Sequence, residues 1–314
     1  MEINYEKMED KKVGFFYLAA LYLTSFWAMI TNSVQALFVK IRKPSLPFSK
    51  ILWELGRDEK HCSSFAVDKF SKFNHQGKVF AAGWKSLDLF YNYYEKVDPK
   101  LKNNFEGFLT KFWIQKLENR QAVANRKNIA SDLLVDAFKS FSNEKEIRLV
   151  SVASGSAQAV LDAIKKVPNL NIKVTLIDFD KTAIAEAKKS VKELGWENNF
   201  SFVNDTTRAL ERVCDQVKPH IIEMVGFLDY RPRKKAIDLI SRIYDCLPTD
   251  GVFLTCNINH NKERIFLDWV LLWPMIYRSK EEMKDIITKA GFSSENVDIE
   301  YEPLKIHSIA ICKK

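Results

Sequence analysis

From residue 147 onward, short apolar runs alternate with stretches whose apolar residues recur at three-and-four spacing. Residues 147–153, 172–177, 199–203, 220–225 and 251–258 are brief runs rich in β-branched and aromatic side chains, which predicts buried strands. Between them, 158–164, 182–194 and 232–247 carry helical spacing; Gly195 closes the second as a C-cap and Pro232 opens the third. Helical spacing continues from about 262 to 290 and stops at Gly291. Residues 297–302 and 306–312 read as two final strands. Only Pro303, Leu304 and Lys305 separate them, which predicts an antiparallel hairpin. Alternating strands and helices imply a mainly parallel sheet covered on both faces. The expected fold class is α/β: a Rossmann-like, doubly wound sheet with a terminal antiparallel β-hairpin, preceded by an α-helical N-terminal region.

That region has its own pattern. Residues 48–55, 84–94 and 105–114 place aromatic and aliphatic residues at helical spacing, and 121–138 predicts an amphipathic helix. The expected division is a tail at 1–12, an apolar helix at 13–39, a helical subdomain at 40–120 and the sheet domain at 121–314.

The apolar helix admits two readings. Residues 13–39 contain no Asp, Glu, Lys, Arg or Pro, and a helix of that length spans about 40 Å against a bilayer core of about 30 Å. Phe15, Phe16, Tyr17 and Phe38 lie near its ends, and Lys40, Arg42 and Lys43 follow. On the positive-inside rule, the chain after 40 is cytoplasmic. An acidic preceding segment and the absence of an A-x-A site argue against a cleavable signal. Tyr17, Thr24, Thr31 and Gln35 nevertheless form a weakly polar stripe, so a helix buried in protein or half-sunk in a membrane surface fits as well.

Charge sharpens this. The 314 residues carry 48 Lys and Arg against 40 Asp and Glu, a net of +8. The excess sits in 40–125, directly after the apolar run, while 126–314 is nearly balanced. Basic and acidic residues interleave, so no nucleic-acid partner is expected. Five widely spaced cysteines without a C-x-x-C pair, and five histidines without a ligand-like pair, argue against disulfides and a metal site.

Ligands of doubly wound sheets bind at the carboxyl ends of the strands. Ser154, Gly155, Asp178, Asp205 and Glu223 end four successive predicted strands. Asp178 lies 23 residues after Gly155, where an acid can accept both ribose hydroxyls or else cap the next helix. Asp205 can accept from an adenine amine. Phe179 can stack on that base or belong to the core. The loop has neither G-x-G-x-x-G nor G-x-x-x-x-G-K-[ST], which disfavours a dinucleotide or a nucleoside triphosphate.

This order of elements resembles the class I S-adenosylmethionine-dependent methyltransferases over residues 121–314. Residues 151–157 look like a form of that family's glycine-rich first motif, Asp178 matches the ribose-binding acid, Asp205 the residue near adenine, and 223–230 the fourth motif. The resemblance implies S-adenosylmethionine as cofactor, held by Ala153, Ser154, Gly155, Asp178, Phe179, Asp205, Thr206, Glu223 and Gly226. Residues 226–236, residues 269–283 and the Asn125–Arg126 pair look like a bacterial subgroup related to fatty-acid (3-hydroxy acid) methyl ester synthases. That implies a small or lipid-like acceptor, with a fatty-acid carboxylate as one form. Arg126, Tyr277 and Arg278 would meet the acceptor, and His260 and Tyr230 are the candidate catalytic groups. A carboxylate acceptor is already ionised and needs no base, whereas a hydroxyl or amine does. The alternatives are an alkyl or aminocarboxypropyl transferase using the same cofactor, and a non-catalytic, membrane-tethered protein that binds it. Reduced thiols suit a cytoplasmic catalytic domain, with membrane association through 13–39.

Overall fold

A computed structural model describes residues 12–314; the tail expected at 1–12 lies, up to residue 11, outside the described residues. In chain order the helices α1 (Phe15–Arg42), α2 (Phe48–Arg57), α3 (Lys72–Val79), α4 (Trp84–Tyr91), α5 (Phe105–Thr110) and α6 (Glu118–Ser140) come first. Then follow β1 (Ile147–Val152), α7 (Gln158–Lys165), β2 (Ile172–Ile177), α8 (Lys181–Glu193), β3 (Phe200–Val203) and α9 (Leu210–Val217). The chain continues with β4 (Ile221–Met224), α10 (Arg233–Cys246), β5 (Val252–Ile258) and α11 (Arg264–Trp269), and ends with α12 (Lys280–Lys289), β6 (Val297–Tyr301) and β7 (His307–Lys313).

These elements form two compact units. Residues 125–259 and 276–314 make the sheet unit; residues 12–124 and 260–275 make the helical unit. In the sheet unit, the strand order is β3-β2-β1-β4-β5-β7-β6. The first five strands are mutually parallel, and β7 runs antiparallel between β5 and β6. Alternate residues of each strand feed opposite faces. Leu149, Leu176 and Leu254 join a core with Ile129, Leu134 and Phe138 of α6. Val150, Ile222 and Phe253 join the other, with Val213 of α9, Ile240 of α10 and Ile286 of α12. Such double burial explains why the parallel strands read as mostly apolar runs, with Arg148 and Lys173 at half-buried second positions. The edge strand β6 buries Val297 and Ile299 and exposes Asp298 and Glu300, charges that discourage pairing with another chain.

Two expectations fail. The helix expected over 262–290 is two helices, because the chain from 270 to 279 is irregular. Pro274 lacks an amide donor there and Leu272 is left-handed, with φ 48°. Helix α6 is buried around most of its circumference, leaving few polar positions outward, so the amphipathic reading held for only part of it.

In the helical unit, α1 presents one line inward: Tyr17, Leu21, Ser25, Ala28, Asn32 and Ala36. Asn32 Nδ2 donates to the carbonyls of Ser63 (3.2 Å) and Trp269 (2.9 Å), and its Oδ1 lies 3.0 Å from His61 Nε2. The expected stripe of Thr24, Thr31 and Gln35 borders this line, and Tyr17 is within it. The inserted residues 260–275 complete the unit. Phe266 stacks on Trp113 at 5.4 Å and Trp273 on Phe90 at 5.9 Å. The Glu263 carboxylate accepts from the amides of Glu118 and Asn119 (2.9 and 2.8 Å), capping the first turn of α6.

Candidate active site at the strand ends

Because β3, β2, β1 and β4 are neighbours, their carboxyl ends lie side by side on the sheet unit. Backbone and side-chain bonds tie these ends together. Asp205 N donates to Asp178 O (3.1 Å), Gly155 N to Asp178 Oδ2 (2.8 Å), and Ser151 Oγ to Glu223 Oε2 (2.5 Å).

The loop after β1 turns on three left-handed residues: Ala153 (φ 54°), Gly155 (φ 54°) and Ala157 (φ 57°). Glycine is at home there; each alanine costs about 1–2 kcal/mol. Strain of this kind persists where a backbone path has a use. Ser154 Oγ is buried there without a hydrogen-bond partner.

Asp178 does not cap α8. Asp180 does, accepting from Thr182 N at 2.8 Å. The buried Asp178 carboxylate instead accepts one amide on each oxygen, from Gly155 (2.8 Å) and Asp180 (2.8 Å). Burial raises its pKa, and the backbone amides of Asp180, Gly155 and Phe179 oppose the rise. Phe179 is 71% exposed, so it does not belong to the core. Asp205 is exposed and accepts from Thr206 N at 2.7 Å, while Thr206 Oγ1 accepts from Arg208 N at 3.3 Å to start the next turn.

At the end of β4, Glu223 is buried and pushed up to about 7 by desolvation; Ser151, Val225 N and the Arg126 charge act in the opposite direction. A carboxyl near 7 can hold or release a proton at neutral pH. Gly226 (φ +88°) sits over Arg126, where a Cβ would stand 3.2 Å from the guanidinium. Arg126 is itself buried, 3.6 Å from Asp229. Asp229 also accepts from Ile258 N at 2.7 Å.

The remaining expected residues divide. Arg278 donates to Leu228 O (2.9 Å), Asn257 Oδ1 (2.6 Å) and Arg231 O. With its guanidinium so engaged, it holds the loop after β4 rather than offering a free fork to a carboxylate. Tyr277 is buried and Tyr230 is half-buried in the turn Leu228–Tyr230. His260 is exposed and belongs to the helical unit, so the sheet unit alone does not bring it to the strand ends.

Sequence reasoning passed over His307. It opens β7 opposite Ile258, is buried, and neither ring nitrogen has a hydrogen-bond partner. Burial and the nearby Arg126 charge lower its pKa well below the ordinary value. A histidine opening an otherwise apolar strand was the available signal.

A family model described as "Putative methyltransferase" matches residues 78–314. The chain belongs to this methyltransferase family. No curated protein matches the sequence. Among solved structures, a protein from Bordetella parapertussis described as a possible exported protein is 11% identical, with a TM-score of 0.62 over 96% of this chain and 97% of that one. That likeness is one of fold. An O-methyltransferase from Nostoc punctiforme, so described with the qualifier "putative", is 14% identical (TM-score 0.47; 79% and 74% covered). The mitomycin 7-O-methyltransferase MmcR is 13% identical (TM-score 0.48; 77% and 70% covered). These two are too distant to speak to the acceptor.

Proposed function

We propose that this methyltransferase uses S-adenosylmethionine and transfers its methyl group to a small or lipid-like acceptor, with a fatty-acid carboxylate the favoured form. The observation that carries the reading is the row of polar strand ends at β3-β2-β1-β4. The residues present fit the cofactor. Asp178 accepts the Gly155 and Asp180 amides on separate oxygens, and an ionised carboxylate has further acceptor sites for ribose hydroxyls. The exposed ring of Phe179 is open to adenine, with Asp205 and Thr206 on the neighbouring loop. The unpartnered Ser154 hydroxyl and the left-handed backbone of Ala153 and Gly155 suit a polar ligand at close approach. Glu223 and Gly226 would border the reacting end.

When bound, the cofactor supplies an electrophilic methyl on a sulfonium. The chain's task is then orientation, which accounts for much of the acceleration in such displacements. Arg126 provides a buried positive charge toward an anionic acceptor. Glu223 can take up a proton if the acceptor is a hydroxyl. Tyr230, in the turn that follows β4, is the further candidate group of the sheet unit, and Tyr277 would meet the acceptor. The resemblance of residues 226–236 to the fatty-acid methyl ester synthase subgroup supports the lipid-like acceptor, as does the apolar segment 13–39, read here as a membrane-associating element of a cytoplasmic enzyme.

The test is incubation with methyl-labelled S-adenosylmethionine and a panel of fatty and 3-hydroxy fatty acids. Label in a base-labile ester is expected. Tight cofactor binding without a labelled lipid overturns the acceptor; no cofactor binding overturns the whole reading.

A further inference from the structure

We infer that the helical unit docks on an anionic lipid surface with α1 lying in the membrane plane, its outward face and the Phe65–Phe70–Phe105 cluster forming one apolar footing. This rests on reading residues 13–39 as a membrane segment and goes beyond it by fixing the mode of attachment, the second patch and the lipid charge.

The residues of α1 are sorted in an unusual direction. Its inward line is mostly small or polar: Ser25, Ala28, Asn32 and Ala36 beside Tyr17 and Leu21. Its outward face carries the bulky apolar side chains. Phe15, Leu23, Phe26, Trp27, Leu37 and Ile41 are all half or more exposed, Trp27 at 64% and Ile41 at 76%. An uncovered apolar face of this extent on one helix marks an interaction site. The helix is about 42 Å long at 1.5 Å per residue, enough to lie as a long strip along a surface.

The inward bonds exclude a spanning helix. Asn32 holds the Ser63 and Trp269 carbonyls, Tyr17 Oη donates to Trp113 O (3.2 Å) and Tyr22 Oη to Lys262 O (3.0 Å). A helix crossing the bilayer would surrender these and place an asparagine side chain in hydrocarbon, where unsatisfied polar groups are prohibitive. In-plane burial keeps every one of them. It also seats Tyr22 and Trp27 at the headgroup level that tyrosine and tryptophan favour.

The footing continues past α1. A groove of about 490 Å³ runs between Leu23 and Trp27 on one side and Phe65 on the other. Phe65, itself 68% exposed, packs edge-on to Phe70 at 4.9 Å, and Phe70 lies 5.9 Å from Phe105. All three rings are exposed.

Charge identifies the occupant. No Asp or Glu occurs between Asp10 and Glu54, whereas Lys12 stands exposed at one end of α1 and Arg42 and Lys43 at the other. A second copy turned face to face would set Lys12, Arg42 and Lys43 against the same cations. An anionic lipid surface offers phosphates to both ends and acyl chains between them.

The experiment uses the full chain, sedimented with vesicles of phosphatidylcholine alone or mixed with phosphatidylglycerol. Binding is expected to the mixed vesicles, to weaken as salt rises, and to be released by alkaline carbonate. Phe26→Ser combined with Trp27→Ser, and separately Phe65→Ser, should weaken binding, the double change by about tenfold or more, with thermal unfolding unchanged because these side chains are exposed. Carbonate-resistant binding would overturn the in-plane mode while leaving a membrane segment. A lipid-free dimer dissolved by the same substitutions would give the face to a second copy. No sedimentation with either vesicle would remove both the docking surface and the membrane reading of 13–39, without touching the methyltransferase assignment.

Discussion

Asp178→Asn separates two duties that the structure places on one carboxylate. The side chain keeps its shape, but one oxygen becomes an NH2 group. That group faces either Gly155 N or Asp180 N, both at 2.8 Å, so one amide loses its acceptor. Leaving a buried donor unpaired costs about 1–3 kcal/mol. For a domain of this size, about 2 kcal/mol lowers the Tm by about 4–8 °C. The second duty concerns the cofactor. Hydrogen bonds to an ionised acceptor exceed neutral ones by about 1 kcal/mol each. Two ribose hydroxyls would therefore lose about 2 kcal/mol, about thirtyfold in Kd for S-adenosylmethionine. Calorimetric titration of parent and variant, paired with thermal unfolding, reads both. A lowered Tm with an affinity within about twofold of the parent would refute the reasoning: Asp178 would then hold the first loop and not the ribose.

Other expectations follow from the same geometry. Phe179→Ala should weaken the cofactor in the same titration and leave the Tm within about 1 °C, because an exposed ring contributes little to folding; a large loss of Tm would return Phe179 to a structural role. Arg126→Met strips the buried Asp229 carboxylate of a neighbouring cation and should destabilise by about 3–5 kcal/mol in denaturant unfolding, with Asp229→Asn restoring much of it; a double variant as unstable as the single would show the two uncoupled. Stability should also depend on pH in two directions. Glu223 and Glu263 are pushed up to about 7 by burial. The folded state therefore binds protons that the unfolded state does not, and stability should rise as pH falls from about 8 toward 6.5. His61 is lowered to about 4 by burial, and burial lowers His307 well below the ordinary value too. Below about 6.5 the unfolded state gains the two histidine protons while the folded state still holds the two carboxyl protons, so stability should level off, and fall only below about 4.5, where the unfolded glutamates are protonated as well. Glu223→Gln with Glu263→Gln should flatten the alkaline limb, and an unchanged limb in chemical-denaturation curves would contradict the assignment.

The sheet unit was far more legible in the sequence than the helical one. A strand buried on both faces is apolar at most positions, so β1, β2, β4 and β5 stand out as runs in spite of Arg148, Lys173 and Glu223. Prolines and glycines punctuate what lies between. The antiparallel hairpin was visible in its three-residue connection. The irregular stretch 270–279 was not, because its apolar residues keep helical spacing while Pro274 and the left-handed Leu272 break the helix. In the site, strand-end positions drew attention to Asp178 and Glu223, since a sheet with known chain direction fixes where such residues fall. Partnerships did not show. Nothing local says that Asp180 rather than Asp178 caps α8, that Arg278 is taken up by three oxygens, or that His307 sits near Arg126 across a long separation in sequence. Exposure was equally hidden: the run 13–39 is apolar on nearly all sides, and only the partners of Asn32 and Tyr17 reveal which side faces inward.

The placement of residues 260–275 carries a consequence for how the protein comes into being. The helical unit owns both the early part of the chain and this late segment, which delivers the cap for α6, the ring beneath Trp113 and the carbonyl that binds Asn32. On the ribosome, α1 through α5 therefore emerge with those places unfilled, and all five parallel strands are synthesised before the missing piece arrives. The first half to be made is thus the later half to be finished. No single cut yields either unit intact: truncation after residue 124 discards the segment that completes the helices, and a start at residue 125 carries it along with nothing to complete.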